Sequence, residues 1–427
     1  MKALPGQIGP DALRIFAGQP PLGRQFDLQR EVQLAEAGPQ RFGQHIETLA
    51  LTQIDIGIGA AQAFVNVGEH AIFGFLGGTS IPARPPGRQP AQRIALAARS
   101  PACQALAMNS DRTLTVALAQ IAPVWLDREA TLARVVDSIA HAAAENARLV
   151  AFGEGLVPGY PFWVEHTDGA RFESEFQKSM FAHYADQAVD IERGDLAAVS
   201  DAARRGRTWV ALGTIERPAD RGSHSLYCSL VLIDDSGAVR NVHRKLMPTH
   251  EERMVWSPGD GHGLRVFDID GFTVGGLNCW ENWMPLARSA LYAQGMNVHV
   301  AVWPGNLRNT RELTRHIARE SRGYALSVSG LFDRSDVPEH IAHAETLRKA
   351  LPDTCADGGS CLAGPDGEWL IEPQVSGAGL WLAELSLAKI RAERQNFDPF
   401  GHYSRPDVLE LRVDRSRRRG VRFEDGS

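Results

Sequence analysis

The stretch Gly275-Gly276-Leu277-Asn278-Cys279-Trp280-Glu281-Asn282-Trp283 stands where one kind of secondary structure is predicted to give way to another. A β-rich run from Gly271 to Leu277 precedes it, and a helix-like run from Pro285 to Gln294 follows. A turn of this kind exposes a cysteine, and the free N–H groups of the following helix favour its thiolate form. Free cysteine is, however, usually a buried small hydrophobe, so this stretch alone favours a structural cysteine.

The composition is that of an ordinary soluble globular protein. The chain has 427 residues, of which 44% are apolar and 22% charged, with a net charge of -6. That length suits two or three average domains, or one large domain with an appendage. The negative charge gives no reason to expect nucleic-acid binding. No membrane association is expected, because the most apolar candidate, Ile54 to Leu76, contains Asp55, Asn66 and Glu69. A signal peptide is also not evident.

The cysteines indicate a reducing compartment, and we expect a cytoplasmic protein. There are five, an odd number without a CxxC pair or zinc-finger spacing: Cys103, Cys228, Cys279, Cys355 and Cys361. This pattern predicts neither a disulfide framework nor a structural zinc. We interpret Cys355 and Cys361 as free thiols in a loop.

The first hundred residues differ from the remainder. All nine Trp and six Tyr lie beyond residue 107, and four prolines fall between Ser80 and Arg93. Such a segment favours an extended chain without a core of its own. We therefore predict that residues 1–107 form a low-complexity, disordered extension, or a start-site artefact if translation begins at Met108. Residues 416–427 are predicted to be a disordered tail.

The body of the chain alternates strand and helix signals. An apolar strand from Leu114 to Ile121, a helix capped by Asp127 and a strand from Arg148 to Phe152 form one crossover unit. Hairpins are predicted around Asp234–Gly237 and Asp270-Gly271. This mixture favours a single large layered α/β domain.

Two helix boundaries are also predicted. Gly169 to Ala188 is interpreted as one helix, and Asn282 is expected to cap the helix whose first turn contains Pro285.

Glu154 and Lys245 are the other candidates for chemistry. Glu154 ends an apolar strand, where partial desolvation raises a carboxyl pKa toward the range of a general base, although a cap or surface role is as good an interpretation. Lys245 is one of only five lysines beside forty arginines. A lysine ammonium is compact and stabilises a developing anion, but a salt-bridged strand-end lysine is the simpler interpretation of this residue alone.

Taken together, three separated motifs resemble the nitrilase family of carbon–nitrogen hydrolases, from about Thr113 to about Val413. The motifs are Phe152-Gly153-Glu154 with the nearby Pro158-Gly159-Tyr160-Pro161, then HRKLMPTHEER from His243 to Arg253, then NCWEN from Asn278 to Asn282. The segment from Phe400 to Val408 resembles the C-terminal part of true nitrilases.

The resemblance implies a four-layer α-β-β-α sandwich over residues 108–415 and a catalytic triad of Glu154, Lys245 and Cys279. It also implies a supporting glutamate, Glu252, with no cofactor and no metal. Members of this family commonly form homodimers that assemble into larger helical oligomers. One departure is visible: the residue before the catalytic glutamate is often proline in the family, and here Gly153 leaves that strand end less restrained.

The substrate pocket is predicted near Tyr160, Trp163, Trp280 and Trp303. The expected reaction converts an organic nitrile and two waters into a carboxylic acid and ammonia. An amidase, a carbamoylase and a cyanide-degrading enzyme with the same triad are alternatives, as is a non-catalytic assembly protein that keeps the fold.

Overall fold

The structure, a computed structural model, describes residues 112–418. Within that range the strands are β1 Thr113–Gln120, β2 Leu149–Phe152, β3 Trp209–Glu216, β4 Tyr227–Ile233, β5 Val239–Arg244, β6 Phe267–Ile269, β7 Phe272–Asn278, β8 Val298–Trp303, β9 Tyr324–Ser329, β10 Leu331–Asp333, β11 Thr354–Ala363, β12 Trp369–Val375 and β13 Gly379–Ser386. The α-helices are α1 Arg128–Ala144, α2 Trp163–His166, α3 Glu175–Gln187, α4 Ala197–Gly206, α5 Pro285–Tyr292, α6 Leu307–Ser321, α7 Ala344–Ala350 and α8 Leu387–Arg394.

The strands form two mixed sheets. The first has the order β13-β1-β2-β3-β4-β5, in which β1, β2 and β3 are parallel and the outer pairs antiparallel. The second has the order β10-β11-β9-β8-β7-β6, with β12 added beside β11. The parallel strands β7, β8 and β9 form its centre. Parallel strands at both sheet centres place several strand ends at a common edge, where loops can carry function.

Alternation along the strands builds the layers. On β1, Val116 and Leu118 pack between the two sheets against residues such as Val300 of β8. Their neighbours Ala117 and Ala119 face the opposite side, where helices α1 and α4 cover the first sheet. Successive strand side chains point to opposite faces, so a strand buried on both faces is apolar throughout.

The second sheet is covered in the same way by α6 and α5. Helix, sheet, sheet and helix follow one another, which confirms the predicted four-layer α-β-β-α sandwich. The crossover unit is confirmed as well: Asp127 caps α1 by accepting a 2.9 Å hydrogen bond from the N–H of Ala130.

Three local predictions differ from the structure. The helix predicted to begin at Gly169 begins at Glu175 with Ser174 as its cap, because Glu173 has a positive φ that no helix contains. Asn282 does not cap α5, because it lies inside a short 3₁₀ helix and Met284 precedes Pro285. Cys355 and Cys361 lie on strand β11 rather than in a loop.

The end of the described chain also differs from its prediction. Arg417 donates to the Asp260 carboxylate at 3.2 Å and to the carbonyl of Val242 at 2.9 Å, and the backbone N–H of Arg418 donates to the same carboxylate at 3.1 Å, so these two residues contact the body of the protein. The predictions for residues 1–107 and 419–427 lie outside the described residues. Among residues 112–418, no helix is long and apolar enough to cross a membrane.

A close backbone approach fixes the end of β2. A Cβ on Gly213 of β3 would lie 2.1 Å from the carbonyl oxygen of Gly153 and 2.7 Å from the Cα of Glu154. Backbone atoms cannot rotate away as a flexible side chain does. Position 213 therefore requires glycine for the chain to pass from β2 through Glu154.

Gly213→Ala is expected to lower the free energy of unfolding by about 1–3 kcal/mol, because the new methyl group must displace the neighbouring backbone. Urea denaturation measures the change. Gly377→Ala is the matched control, since a Cβ there meets nothing within 4 Å. Equal unfolding midpoints for the two variants would contradict the close approach.

Candidate active site

Four buried side chains meet at the ends of three strands: Glu154, Lys245, Glu252 and Cys279. The Lys245 Nζ lies 2.9 Å from Glu154 Oε1 and 2.7 Å from Glu252 Oε2. The Cys279 sulfur and one oxygen from each carboxylate all lie within 4.8 Å of one another. The structure therefore brings together the three residues that the motifs predict and the supporting glutamate.

Glu154 is held by its backbone as well as its side chain. It follows Gly153 at the end of β2, and its N–H donates to the carbonyl of Trp303 on β8 at 3.0 Å. A Cβ on Gly153 would lie 2.7 Å from the nitrogen of Gly330 and 3.0 Å from the Trp303 carbonyl oxygen. The expectation that Gly153 loosens this strand end is wrong, because the second sheet packs directly on it.

Lys245 follows β5 and is fully buried. Its backbone N–H donates to the carbonyl of Cys228 on β4 at 2.7 Å, and its backbone carbonyl accepts a hydrogen bond from the N–H of Gly259. Its ammonium also lies 5.6 Å from the centre of the Trp256 ring. Two carboxylates and an aromatic face thus replace the water that this ammonium loses on burial.

Glu252 is fixed by its own turn. Its Oε2 accepts a 2.6 Å bond from the N–H of Thr249, in a capping box that begins the short 3₁₀ helix His250–Met254. Its Oε1 accepts a 2.8 Å bond from the Tyr160 hydroxyl. The Lys245 ammonium also donates to Oε2, so both oxygens of Glu252 accept hydrogen bonds. A carboxylate held in this way is suited to orienting the ammonium.

Cys279 occupies a strained turn. Its φ is +46°, a left-handed conformation uncommon for residues other than glycine. It begins the 3₁₀ helix Cys279–Trp283 directly after β7. The Asn282 side-chain amide donates to the Cys279 carbonyl at 2.9 Å, and its Oδ1 lies 2.6 Å from His299 Nε2. Burial lowers the pKa of His299 to about 3, so this imidazole is neutral at physiological pH.

Glu281 connects the cysteine turn to the lysine segment. Its carboxylate accepts from the N–H groups of Asn278 and Leu246, which adjoin Cys279 and Lys245, and contacts His243 Nε2 at 3.0 Å. Burial raises the pKa of Glu281, but His243 and these hydrogen bonds outweigh burial and lower it. The carboxylate is therefore ionised and acts only as an acceptor.

Sequence reasoning missed this network. In the structure His243 pairs with Glu281 and His299 pairs with Asn282, and all four side chains are buried. The positions of Glu281 and Asn282 inside the NCWEN motif were the available signal.

The electrostatics suit proton transfer within the cluster. Burial raises the pKa of Glu154 to about 7; Lys245 opposes this rise and Glu252 adds to it. Burial lowers the pKa of Lys245, but the opposite charges of Glu154 and Glu252, and of Cys279 whenever it is ionised, raise it well above its usual range. The pKa of Glu154 is thus close to the value that suits a general base, and Lys245 stays protonated.

Cys279 differs from the initial expectation of a preformed thiolate. Burial, followed by the charge of Glu154, raises the pKa of its thiol well above the ordinary value, and Lys245 offsets this only in part. The residues that follow form a short 3₁₀ helix, and α5 begins only at Pro285, so no long helix dipole acts on the sulfur. The resting cysteine is a thiol.

A cavity of about 390 Å³ opens above the cluster. Of the four residues predicted for the substrate pocket, Tyr160 and Trp280 line this cavity, whereas Trp163 and Trp303 do not and are fully buried in the core. The wall consists of Tyr160, Phe162, Glu165, His166, Thr249, Glu251, Glu252, Cys279, Trp280, Pro304, Gly305, Asn306, Arg308, Asn309, Pro352, Thr354 and Cys355.

Glu154, Glu252 and Cys279 also have the donor types and separations of a metal site. The Lys245 ammonium, however, bonds to both carboxylates and supplies the positive charge between them. The arrangement can therefore supply a nucleophile, a base and a cation, which suits acyl-transfer chemistry.

Comparison with known proteins identifies the class. Residues 115–395 match the model of the carbon–nitrogen hydrolase family, and the chain belongs to that family. The fold agrees with solved members: a carbon–nitrogen hydrolase from Helicobacter pylori G27 (TM-score 0.54, 18% identity, covering 69% of this chain and 97% of that one) and Nit3 from Saccharomyces cerevisiae (TM-score 0.53, 18% identity, 68% and 97%).

Its curated relatives place the chain in the nitrilase branch, which confirms the resemblance. Nitrilase 2 of an unknown prokaryotic organism is 38% identical over 316 residues, covering 73% of this chain and 96% of the relative. Nitrilase 1 of Arabidopsis thaliana is 33% identical, covering 73% and 90%. An arylacetonitrilase of Aspergillus kawachii is 34% identical, covering 72% and 94%.

Glu281→Gln is expected to lower the free energy of unfolding by about 1–3 kcal/mol and to reduce turnover, because an amide NH₂ would face N–H groups that now donate to a carboxylate. Chemical denaturation and initial rates measure both effects. Glu312→Gln serves as the control, since that side chain is 85% exposed. A Glu281→Gln protein with the stability of the control would refute the connecting role.

Proposed function

We propose that this protein is a nitrilase that hydrolyses an organic nitrile with two waters to a carboxylic acid and ammonia. One observation carries the proposal: the side chains of Glu154, Lys245 and Cys279 converge beneath one cavity, with Cys279 in its wall. The names of the curated relatives support nitriles as the substrate class.

In the first step, the Cys279 thiol attacks the nitrile carbon. Because the pKa of this thiol is raised, its proton leaves during attack, and Glu154, with a pKa of about 7, accepts it. A carbon–sulfur bond forms as one π bond of the nitrile breaks. Lys245 and a backbone N–H near Trp280 stabilise the charge that develops on nitrogen. Transfer of the proton to nitrogen gives a covalent thioimidate.

Two waters complete the reaction. Glu154 takes a proton from the first water as its oxygen adds to the thioimidate carbon, and passes it to nitrogen, which becomes an amino group. The proton of the new hydroxyl group then moves to that amino group through the same carboxylate, the carbon–oxygen double bond forms, and the carbon–nitrogen bond breaks to release ammonia. A thioester on Cys279 remains. The second water, activated by the same carboxylate, displaces the sulfur and releases the acid. Glu252 keeps the Lys245 ammonium in place throughout.

The cavity favours an organic nitrile over cyanide. A volume of about 390 Å³ falls in the range of pockets that hold organic ligands and far exceeds what cyanide requires. An amidase or carbamoylase with the same triad is the alternative within the family. A non-catalytic assembly role is disfavoured by the cost of burying Glu154, Lys245 and Glu252 together without a use for their charges.

We also propose a cytoplasmic homo-oligomer, a dimer or a larger helical assembly. Exposed apolar side chains near the C-terminal segment and α5, among them Leu286 and Leu409, support association. The four cysteines of the described chain are free, which suits a reducing compartment. Sedimentation velocity tests the assembly, and a purely monomeric protein would contradict it.

Cys279→Ala is expected to abolish ammonia release from every member of a nitrile panel, because the covalent step is lost. Cys361→Ala, which removes a buried thiol from β11, is the control and should retain turnover. Running each nitrile beside its matching amide separates the two activities. A Cys279→Ala protein that turns over near the wild-type rate would remove Cys279 from the mechanism, and turnover of amides alone would favour the amidase.

Lys245→Arg is expected to reduce kcat by about 10²–10³-fold, because a guanidinium is larger and cannot reproduce the position of the ammonium between two carboxylates. Lys349→Arg is the control, since Lys349 is 74% exposed. Thermal melting checks that both variants fold. If Lys245→Arg retains activity within a few-fold of wild type, the site does not require a compact cation, and the prediction is wrong.

A further inference from the structure

The two oxygens of the Glu154 carboxylate have different surroundings. Oε1 lies 2.9 Å from Lys245 Nζ and 3.4 Å from Cys228 Sγ. Oε2 is buried and has no hydrogen-bond partner. Buried carboxylate oxygens are rarely left unpaired, so this one is available for a proton that arrives during the reaction.

Cys228 contacts both members of the buried ion pair, yet the mechanism above gives it no step. It lies on β4, where its carbonyl accepts the N–H of Lys245 at 2.7 Å while its sulfur reaches Glu154. It is fully buried, in a cluster that includes Ile215 and Trp256. Its position is thus fixed by the sheet and by packing.

Only one direction of hydrogen bonding is open to this thiol. Burial, followed by the nearby charge of Glu154, raises the pKa of Cys228 well above its ordinary value. The sulfur therefore keeps its proton and donates it, weakly, to Oε1. Because a thiol is a weaker donor than a hydroxyl, it orients the carboxylate without strongly stabilising its charged form.

We propose that Cys228 is a positioning residue that, together with Lys245, occupies Oε1 of Glu154 and so leaves Oε2 to accept the proton of Cys279. This inference rests on the function proposed above, in which Glu154 is the base. The carboxylate cannot then rotate freely about its terminal bond, and one oxygen is reserved for proton transfer.

The acidic limb of the pH profile reports this interaction. In kcat/KM that limb follows the pKa of the base in the free enzyme. A donor to Glu154 stabilises its charged form, so removing the donor raises the pKa of Glu154 and moves the limb to higher pH. A stronger donor moves it to lower pH.

The experiment compares Cys228→Ala and Cys228→Ser in the full-length enzyme, with pH profiles on one nitrile substrate. Cys228→Ala is expected to shift the acidic limb upward by about half a pH unit and to lower kcat about tenfold with little change in KM. Cys228→Ser is expected to recover most of kcat and to shift the limb below that of the wild type.

Cys361→Ala controls for the loss of a buried thiol elsewhere, and should leave the limb unmoved. If Cys228→Ala does not fold, the direction of the shift in Cys228→Ser decides. An unshifted limb in the variants, with or without lower activity, overturns the proposal and leaves Cys228 a packing residue. Glu154→Gln tests the base separately from the positioning role of Cys228. Turnover equal to that of the wild type would show that Glu154 is not the base, and would overturn the proposed mechanism.

Discussion

The Lys245 ammonium, held between two buried carboxylates, is the interaction on which the site depends. One cation faces Glu154 at 2.9 Å and Glu252 at 2.7 Å, so the group carries a net negative charge when both carboxylates are ionised. Removing such charges from water costs several kcal/mol per ion unless good geometry offsets the loss. Burial, opposed by the charge of Lys245 and assisted by that of Glu252, keeps the pKa of Glu154 at about 7, where it can both accept and return a proton.

Both sheets contribute residues to the cluster of Glu154, Lys245 and Cys279. Glu154 and Lys245 leave the ends of β2 and β5 in the first sheet, and Cys279 leaves β7 in the second. The N–H of Glu154 bonds to Trp303 of the opposite sheet, and Glu281 bonds to the backbone beside both Lys245 and Cys279. The relative position of nucleophile, base and cation therefore follows from the packing of one sheet on the other, and a shift between the sheets would separate them.

Apolar runs and turn residues sufficed to predict most strands, because a strand that is buried on both faces must be apolar along its whole length. The triad needed the three motifs, since no spacing shows that Glu154 and Cys279 meet. Cys228 and Glu281 were not predicted, because Cys228 acts on a residue 74 positions away in the sequence and Glu281 on one 35 positions away. Trp163 illustrates a second limit: it lies close to Tyr160 in sequence, but its side chain points into the core. The state of Cys279 depended on burial, which sequence does not report.

The covalent role of Cys279 is the central claim, and mass spectrometry of the enzyme quenched during turnover tests it most directly. The peptide that contains Cys279 should carry the mass of the acyl group of the nitrile, as thioimidate or thioester, and lose it when substrate is exhausted. An unmodified Cys279 peptide during steady turnover, or an adduct on another side chain, would contradict the account.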